Sequence, residues 1–467
     1  MASPDFDVVV IGAGPAGVVA ARSLLQQGWR VAVIDPCTSS TVRMETLPAA
    51  GVVLAQQLGL GEALAAACRG RVRAARLYWR AQPETRRFGR DGPWVLERPY
   101  LDRALRALVP TENVIVGRLR SARPSEDHIS LRLDNGTVTA RYALDARGRV
   151  AQRMRTQTAA PVVALGFTAR LDMQVPDCTM LLHALAQGWL WGVALPQDLL
   201  SGAVFLPAQR LAGRTASQRQ TLLAQYLANA GLHPLRHAHV GPVWPAMIRA
   251  VDDPFAASRL LRIGDAALAR DPIASHGLVH ALRSGAQAAA AIATLLDPAG
   301  DNIAAQAFIR DRHRDATNSA RRSTAQAYAD QSRHEGGFWP GFSPAGKALQ
   351  SQPARMAPDP TCRFRLTPLR RLPALDGGQI RWRGAIWLAH SQRGAAQFGG
   401  LEAEYLARAL FPPASIAVQC ARLERLIGLR AARALIGELV SEGALLEDVS
   451  RPAPQPSSAL ARKTSAP

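Results

Sequence analysis

Three glycines, Gly12, Gly14 and Gly17, lie in the run Gly-Ala-Gly-Pro-Ala16-Gly, between a short apolar stretch (Asp7 to Ile11) and an alanine-rich one. A continuous apolar run of that length reads as a buried parallel strand. Ala20, Leu24 and Leu25 keep an apolar stripe along the helix that follows, and Gly28 closes it. In such a turn Gly12 permits the tight bend, Gly14 lets the backbone approach a pyrophosphate, and Gly17 lets the helix pack against the sheet. The helix N-terminus then presents its positive dipole end to the phosphates. Val31 to Ile34 form a second strand ending in Asp35, close to the spacing expected of an acid that binds the adenosine ribose. An acid there disfavours the 2′-phosphate of NADP, so the nucleotide is FAD or NAD.

The elements that must position this turn set the scale of the molecule. At 467 residues the chain calls for two or three domains, and its hydrophobic content of 48% is that of a globular protein. No apolar run approaches the ~20 residues of a membrane span. The first strand begins almost at once, with no basic segment or cleavage site before it, so a cytoplasmic location is expected. Five scattered cysteines without a CxxC pair fit reduced thiols. Residues 1–155 and 256–334 read as the nucleotide-binding domain, interleaved with strands of a substrate domain. Residues 156–255 read as that inserted sheet, 335–362 as a Gly/Pro/Ser-rich linker, 363–450 as a small helical unit and 451–467 as a disordered tail. Asn135-Gly136 marks a hairpin within the first part, Gly277 to Leu296 reads as a helix, and a further helical stretch runs to Tyr328.

Formal net charge is +20, and only two of the 56 basic residues, Lys347 and Lys463, are lysines. Coding bias accounts for much of the arginine preference. Its clustering is more informative. Arg69 to Arg90 holds eight arginines against the single acid Glu84, and Pro360 to Arg393 holds seven against Asp376. Strips of one sign suggest an anionic partner.

Further motifs carry a resemblance. Glu45-Thr-Leu-Pro48, Glu-Arg98-Pro-Tyr-Leu-Asp-Arg-Ala-Leu, Leu144-Asp-Ala-Arg-Gly-Arg149, Trp189-Leu-Trp191 and the run Gly264-Asp265-Ala-Ala-Leu-Ala-Arg-Asp-Pro272-Ile-Ala-Ser-His276-Gly277-Leu278 are the relevant segments. With the first glycine turn, they resemble the FAD-dependent aromatic hydroxylases of the para-hydroxybenzoate hydroxylase fold, in the branch shared with tryptophan halogenases. The resemblance covers about residues 5 to 330. It implies an α/β architecture, a Rossmann-type FAD domain with an inserted β-sheet substrate domain. It also implies that FAD is the cofactor, that Asp265 contacts its ribityl or phosphate region, and that Arg98 supports the pyrophosphate. Pro272, Gly277 and Leu278 would line the isoalloxazine ring.

Two departures from that family direct the chemistry. Halogenases of the branch use a tunnel lysine after the Glu-Thr-Leu-Pro segment, and here that stretch holds only arginines. Arginine stays protonated and cannot form a chloramine. What remains is oxygen transfer from a flavin hydroperoxide to an electron-rich ring, with molecular oxygen as co-substrate. The second departure is Asp145-Ala146-Arg147-Gly148, which alters the Asp-Gly pair used with NAD(P)H and makes a separate flavin reductase plausible. Glu45 and His276 are the candidate catalytic groups, Glu45 to orient flavin or substrate and His276 as a proton shuttle. Trp189, Trp191, Arg71, Arg73 and Arg76 are the candidate substrate contacts. His233, His237 and His239 have metal-like spacing, but Gly231 and Pro234 argue against one helix presenting them, and no metal is expected.

The C-terminal part reads as short helices, at Leu401 to Leu410 and Ile416 to Leu435, closing at Leu435 to Leu446. This resembles a winged-helix-like module of the sort that binds DNA or presents peptides. Its charge precedes its helices, which counts against nucleic acid. Taken together, these features resemble the flavoprotein maturases of tryptophylquinone enzymes. The resemblance implies hydroxylation of a protein-bound tryptophan carried by an acidic protein or peptide substrate. A small-molecule aromatic hydroxylase, a halogenase, a geranylgeranyl-reductase-like enzyme and a flavin-fold regulatory protein are the alternatives.

Overall fold

A computed structural model describes residues 3–38, 42–151, 162–171, 176, 178–234, 238–339 and 362–448. Its first compact unit comprises Met1–Ser351 with Leu375–Arg381. At its centre the Phe6–Ile11 strand pairs in parallel with Val31–Asp35 on one side and with Thr137–Asp145 on the other. Val114–Val116 extends the parallel order beyond Val31–Asp35, and Leu260–Arg262 extends it beyond Thr137–Asp145. Val8, Val9 and Val10 are fully buried, as a strand covered on both faces requires. The Asn135-Gly136 turn joins Ile129–Leu133 to Thr137–Asp145 in an antiparallel hairpin, with Gly136 at φ +153.

Two helices pack against each other beside this sheet. Pro15–Gln26 follows the glycine turn, and Gly277–Leu296 follows the second motif. Their approach is set by missing side chains. A Cβ on Gly285 would stand 2.3 Å from the Ala16 carbonyl oxygen across the helix pair, and within the first turn one on Gly17 would stand 2.0 Å from the Gly12 carbonyl oxygen. A Cβ on Gly264 would lie 2.8 Å from that of Ala16. Backbone atoms set the first two limits, so relief requires movement of the chain.

The second sheet has seven strands, ordered His239–Pro245, Val162–Arg170, Leu199–Pro207, Gly188–Leu195, Thr179–Leu185, Ala74–Tyr78, Glu84–Arg87. The last two come from the arginine-rich stretch, ahead of the 156–255 segment that supplies the others. One face of this sheet packs under the Ala216–Asn229 helix, around Leu165, Phe167, Leu190, Leu223 and Leu227. The opposite face gathers aromatic side chains, Trp79, Trp189, Phe205, Tyr328, Phe338 and Trp339. Asn302–Ala329, a single long helix, brings Tyr328 to that face.

The other unit comprises Gln352–Ala374 and Trp382–Pro467. Phe364–Leu366 pairs with Leu445–Glu447, and helices Ala403–Ala409, Ile416–Ile427 and Leu429–Ser441 surround a core of Leu406, Leu423, Leu435 and Leu439. The unit expected as small and helical also holds strands: Gln379–Leu388, whose residues to Arg381 belong to the first unit, pairs at its end with Arg393–Ala395. Trp382, Ile386 and Trp387 favour strand over helix there. Gly428, at φ +81, separates the second and third helices. The linker expected at 335–362 lies outside the described residues apart from 335–339 and 362, and the tail expected at 451–467 lies wholly outside them.

If the helix pair is as closely limited as these distances imply, Gly285→Ala will lower stability by about 1–3 kcal/mol, since the neighbouring backbone must move. Thermal unfolding monitored by circular dichroism measures it. An unchanged midpoint would show that the approach is not limiting.

Candidate active site

The glycine turn takes the shape its spacing calls for. Gly12 sits at φ +107, where a side chain is strained, and its N–H donates to the Ile34 carbonyl. Gly14 caps the helix in extended geometry, and an added Cβ there would meet nothing within 4 Å. That open side fits a cofactor phosphate at the helix N-terminus. Gly277, which opens the second helix, likewise has no atom near its Cβ position. Ala16, expected as a cofactor contact, is buried and lies against Gly285 and Gly264.

Asp35 is buried at its strand end and carries more of the turn than expected. One carboxylate oxygen accepts from the Ala13 N–H at 2.8 Å, and the other accepts from the Cys37 N–H at 2.7 Å. Arg106 approaches the second oxygen at 3.3 Å. Each oxygen has two acceptor positions, so a ribose hydroxyl can still be bound while the carboxylate braces the loop.

A set of ion pairs lies between the two glycine segments. Glu45 Oε1 receives Arg43 Nε at 2.9 Å and Arg98 Nη1 at 3.1 Å, and Arg98 Nε reaches Asp102 at 2.7 Å. Burial alone would raise the Glu45 carboxyl, but the Arg98 and Arg43 guanidiniums overcome it and bring its pKa to about 2. Glu45 is therefore a fixed anion and a poor proton acceptor at neutral pH, and its place is to hold Arg98. Arg149 pairs with Asp265 at 3.2 Å and donates to the Pro245 carbonyl at 2.7 Å. Burial raises the Asp265 carboxyl against the pull of Arg149.

His276 is exposed, and its Nδ1 faces the Ala274 carbonyl within the same turn. Burial lowers its pKa. The ring is not among the residues that line the cavity described below. Of the three histidines considered as ligands, His237 lies outside the described residues, and His233 and His239 are exposed.

A cavity of about 260 Å³ opens between the aromatic face of the seven-stranded sheet and the Pro272–Ser275 turn. It lies at the lower edge of the ~300–1,000 Å³ typical of small-molecule sites. Leu77, Trp79, Met180, Leu182 and Trp191 give it apolar walls, and Pro272 and Ile273 close one side. Trp189 and Trp191, two residues apart on one strand, both face it. Trp189 is nonetheless a wall more than a contact. It is 1% exposed and stacks on Phe205 with ring centroids 3.6 Å apart. Arg71, Arg73 and Arg76 do not line this cavity. Arg71 lies over the Trp94 ring, and Arg76 alternates to the face opposite Leu77. The arginines at the mouth are Arg80 and Arg86, paired with Asp330 at 3.5 Å and Glu84 at 2.6 Å.

A buried chain of hydrogen bonds links this cavity wall to the Pro272–Ser275 turn. Trp189 Nε1 donates to the Tyr328 hydroxyl at 3.2 Å, and Tyr328 donates to Asp271 Oδ2 at 3.3 Å. Asp271 Oδ1 in turn accepts from the Ile273 N–H at 3.0 Å. Burial pushes the Asp271 carboxyl up to about 7, against the Ile273 N–H, Tyr328 and Arg149. An indole N–H only donates, so the chain orients Trp189 and the turn instead of conducting a proton through the tryptophan. Neither Asp271 nor Tyr328 was anticipated as a site residue. The Asp-Pro pair that begins the turn was the available signal, while Tyr328 sits far away on a long helix with no local mark.

Residues 7–189 match the family model for FAD dependent oxidoreductases. The chain therefore carries an FAD-dependent oxidoreductase domain, and FAD is its cofactor. Among solved structures it is similar to QhpG, a peptidyl tryptophan dihydroxylase essential for tryptophylquinone cofactor biogenesis, at 24% identity and TM-score 0.72, spanning 95% of this chain and 100% of that one. It is similar to CmlS, a flavin-dependent halogenase, at 17% identity and TM-score 0.76, spanning 94% and 95%. Klebsiella pneumoniae HpxO, complexed with FAD, is similar at 16% identity and TM-score 0.54, spanning 70% and 90%. These likenesses establish the α/β fold of flavin hydroxylases and halogenases. No curated protein sequence matches the chain. Among the described residues no helix is long and apolar enough to cross a membrane.

Gly14→Ala should leave the fold within about 0.5 kcal/mol of wild type and weaken FAD at least about tenfold, as its methyl enters the space kept open for a phosphate. An absorbance titration with FAD reads the affinity, and unchanged binding would place the pyrophosphate elsewhere. Asp271 gives a pH test in the unliganded protein. Its folded pKa is raised, so its contribution to stability is present at low pH and is lost as pH rises from about 4 to about 7. Asp271→Asn should flatten that part of the stability curve, by up to about 4 kcal/mol. Melts at pH 4.5 and 7.5 check it, and parallel curves for both proteins would contradict it.

Proposed function

We propose that this protein is an FAD-dependent monooxygenase that hydroxylates a tryptophan held in a polypeptide, as a step toward a tryptophylquinone cofactor. The observation that carries this reading is the aromatic cavity that opens at the surface beside the Pro272–Ser275 turn. Similarity to a peptidyl tryptophan dihydroxylase over nearly the whole of both chains supports it.

The residues divide the work. Gly12, Gly14 and Gly17 with Asp35 would hold the nucleotide end of FAD, and Arg98, braced by Glu45 and Asp102, would supply positive charge for the pyrophosphate. Pro272, Gly277 and Leu278 would border its ring. When bound and reduced, FAD supplies two electrons and activates dioxygen, so that one oxygen atom enters the substrate ring and the other leaves as water. The Trp189–Tyr328–Asp271 chain fixes the wall against which an indole lies. Leu77, Met180 and Leu182 keep that wall dry. The electrons come from a separate reductase, in keeping with Ala146-Arg147 after Asp145. An acidic polypeptide is the partner favoured by a chain of net charge +20. The five cysteines form no disulfide, in keeping with a cytoplasmic location. Chlorination is set aside because no lysine precedes Lys347.

The holoprotein, a flavin reductase with NADH, and an acidic peptide containing one tryptophan under ¹⁸O₂ should give a product carrying one or two labelled oxygens on the indole. Tandem mass spectrometry locates them. Oxidation of free tryptophan or small phenols with none on the peptide, or chlorine incorporation in chloride buffer, would overturn the reading.

A further inference from the structure

The seven-stranded sheet ends in an open edge at the mouth of the cavity. Glu84–Arg87 is its terminal strand, all four residues are exposed, and no further strand joins it among the described residues. The phase of the ladder follows from one bond, Phe88 N–H to the Arg73 carbonyl at 2.8 Å. With Ala74 opposite Arg87 in the register, that bond makes Ala75/Arg86 and Leu77/Glu84 the hydrogen-bonded pairs. Thr85 and Arg87 therefore turn their N–H and C=O groups outward. Glu84 and Arg86 point their side chains to the cavity, and Thr85 and Arg87 point theirs to the opposite face.

Natural edges of this kind are blunted by brevity, charged side chains, proline, a bulge or a covering element. This one is four residues long and charged at Glu84, Arg86 and Arg87, which discourages a neutral strand but suits an acidic one, and among the described residues it holds no proline and nothing covers it. From Arg76 to Arg90 the hairpin and its exit hold five arginines, Arg76, Arg80, Arg86, Arg87 and Arg90, against the single acid Glu84. Arg80 and Arg86 are paired. Arg87 and Arg90 meet no acid among the described residues, and Arg87 stands at the outward position.

We propose that an extended acidic segment of a partner polypeptide adds to Glu84–Arg87 as an eighth strand. An aromatic side chain opposite Glu84 or Arg86 then enters the cavity, and an acidic neighbour one residue away meets Arg87. Backbone pairing gives the affinity and the alternation of side chains gives the selection. The inference rests on the polypeptide substrate proposed above and adds where and in what conformation that substrate docks.

The test uses the FAD-loaded full chain and a synthetic eleven-residue peptide with one central tryptophan flanked by aspartates and glutamates. Thr85→Pro removes the outward N–H, and proline is tolerated on an edge strand whose N–H faces solvent. Thr85→Val keeps the N–H. Anisotropy titrations should show at least a tenfold weaker Kd for Thr85→Pro and none for Thr85→Val. Two peptides N-methylated on alternate residues serve should the proline variant not fold: one should lose binding tenfold and the other should keep it. Hydrogen exchange should show the Thr85 and Arg87 amides protected by peptide. Equal binding by Thr85→Pro and wild type, equal binding of both methylated peptides, or no binding of any peptide would overturn the docking mode. If Thr85→Pro still oxidises the peptide as wild type does, only the docking mode fails. If wild type oxidises no peptide, the proposed function fails with it.

Discussion

The close approach of the two helices at Ala16 is the constraint on which the rest of the molecule depends. Helix Pro15–Gln26 begins at the first glycine turn and helix Gly277–Leu296 begins at the second, and Gly285 and Gly264 leave no room for side chains between them. Two motifs some 250 residues apart in the chain are thereby brought to one side of one sheet. The Pro272–Ser275 turn that precedes the second helix inherits that position, and with it the cavity wall. Had either glycine been larger, the turn would sit farther from the phosphate-binding end.

Electrostatics then fixes the groups that packing alone would leave loose. Arg98 is half-buried and held between Glu45 and Asp102, and Glu45 is kept charged by Arg98 and Arg43. Removing one member would strand a charge in a partly buried place, a costly outcome. Asp271 follows the reverse logic. Burial raises its carboxyl, which holds Tyr328 and the Ile273 amide with no guanidinium in direct contact among the described residues.

Much of the nucleotide domain was legible because its signals are local. The Gly12–Gly17 spacing, the apolar strand before it and Asp35 after it each constrain the backbone within a few residues, and Gly277–Leu296 is marked at both ends. The cavity was far less so. Trp189 and Trp191 were visible as a pair, yet which of them would be sealed in the core depended on Phe205 from a neighbouring strand. The arginine strip gave a charge but no direction. Only the strand alternation of Ala74–Tyr78 and Glu84–Arg87 separates Arg76 from the mouth and puts Arg86 there. Tyr328 meets Asp271 across 57 residues through tertiary packing, which no spacing in the sequence encodes. In the C-terminal unit, amphipathic runs identified the helices, while the strand Gln379–Leu388 that leads into it was not singled out.

The proposed function requires FAD, held at the Gly12–Gly17 turn, to reach the cavity lined by Trp191. A crystal structure of the FAD complex tests this directly. The account expects the pyrophosphate at the Gly14 amide end of the first helix and the isoalloxazine ring bordered by Pro272, Gly277 and Leu278, with one edge toward the cavity lined by Leu77 and Trp191. A ring bound on the far face of the seven-stranded sheet, or a cavity filled by this chain's own residues in the complex, would contradict it.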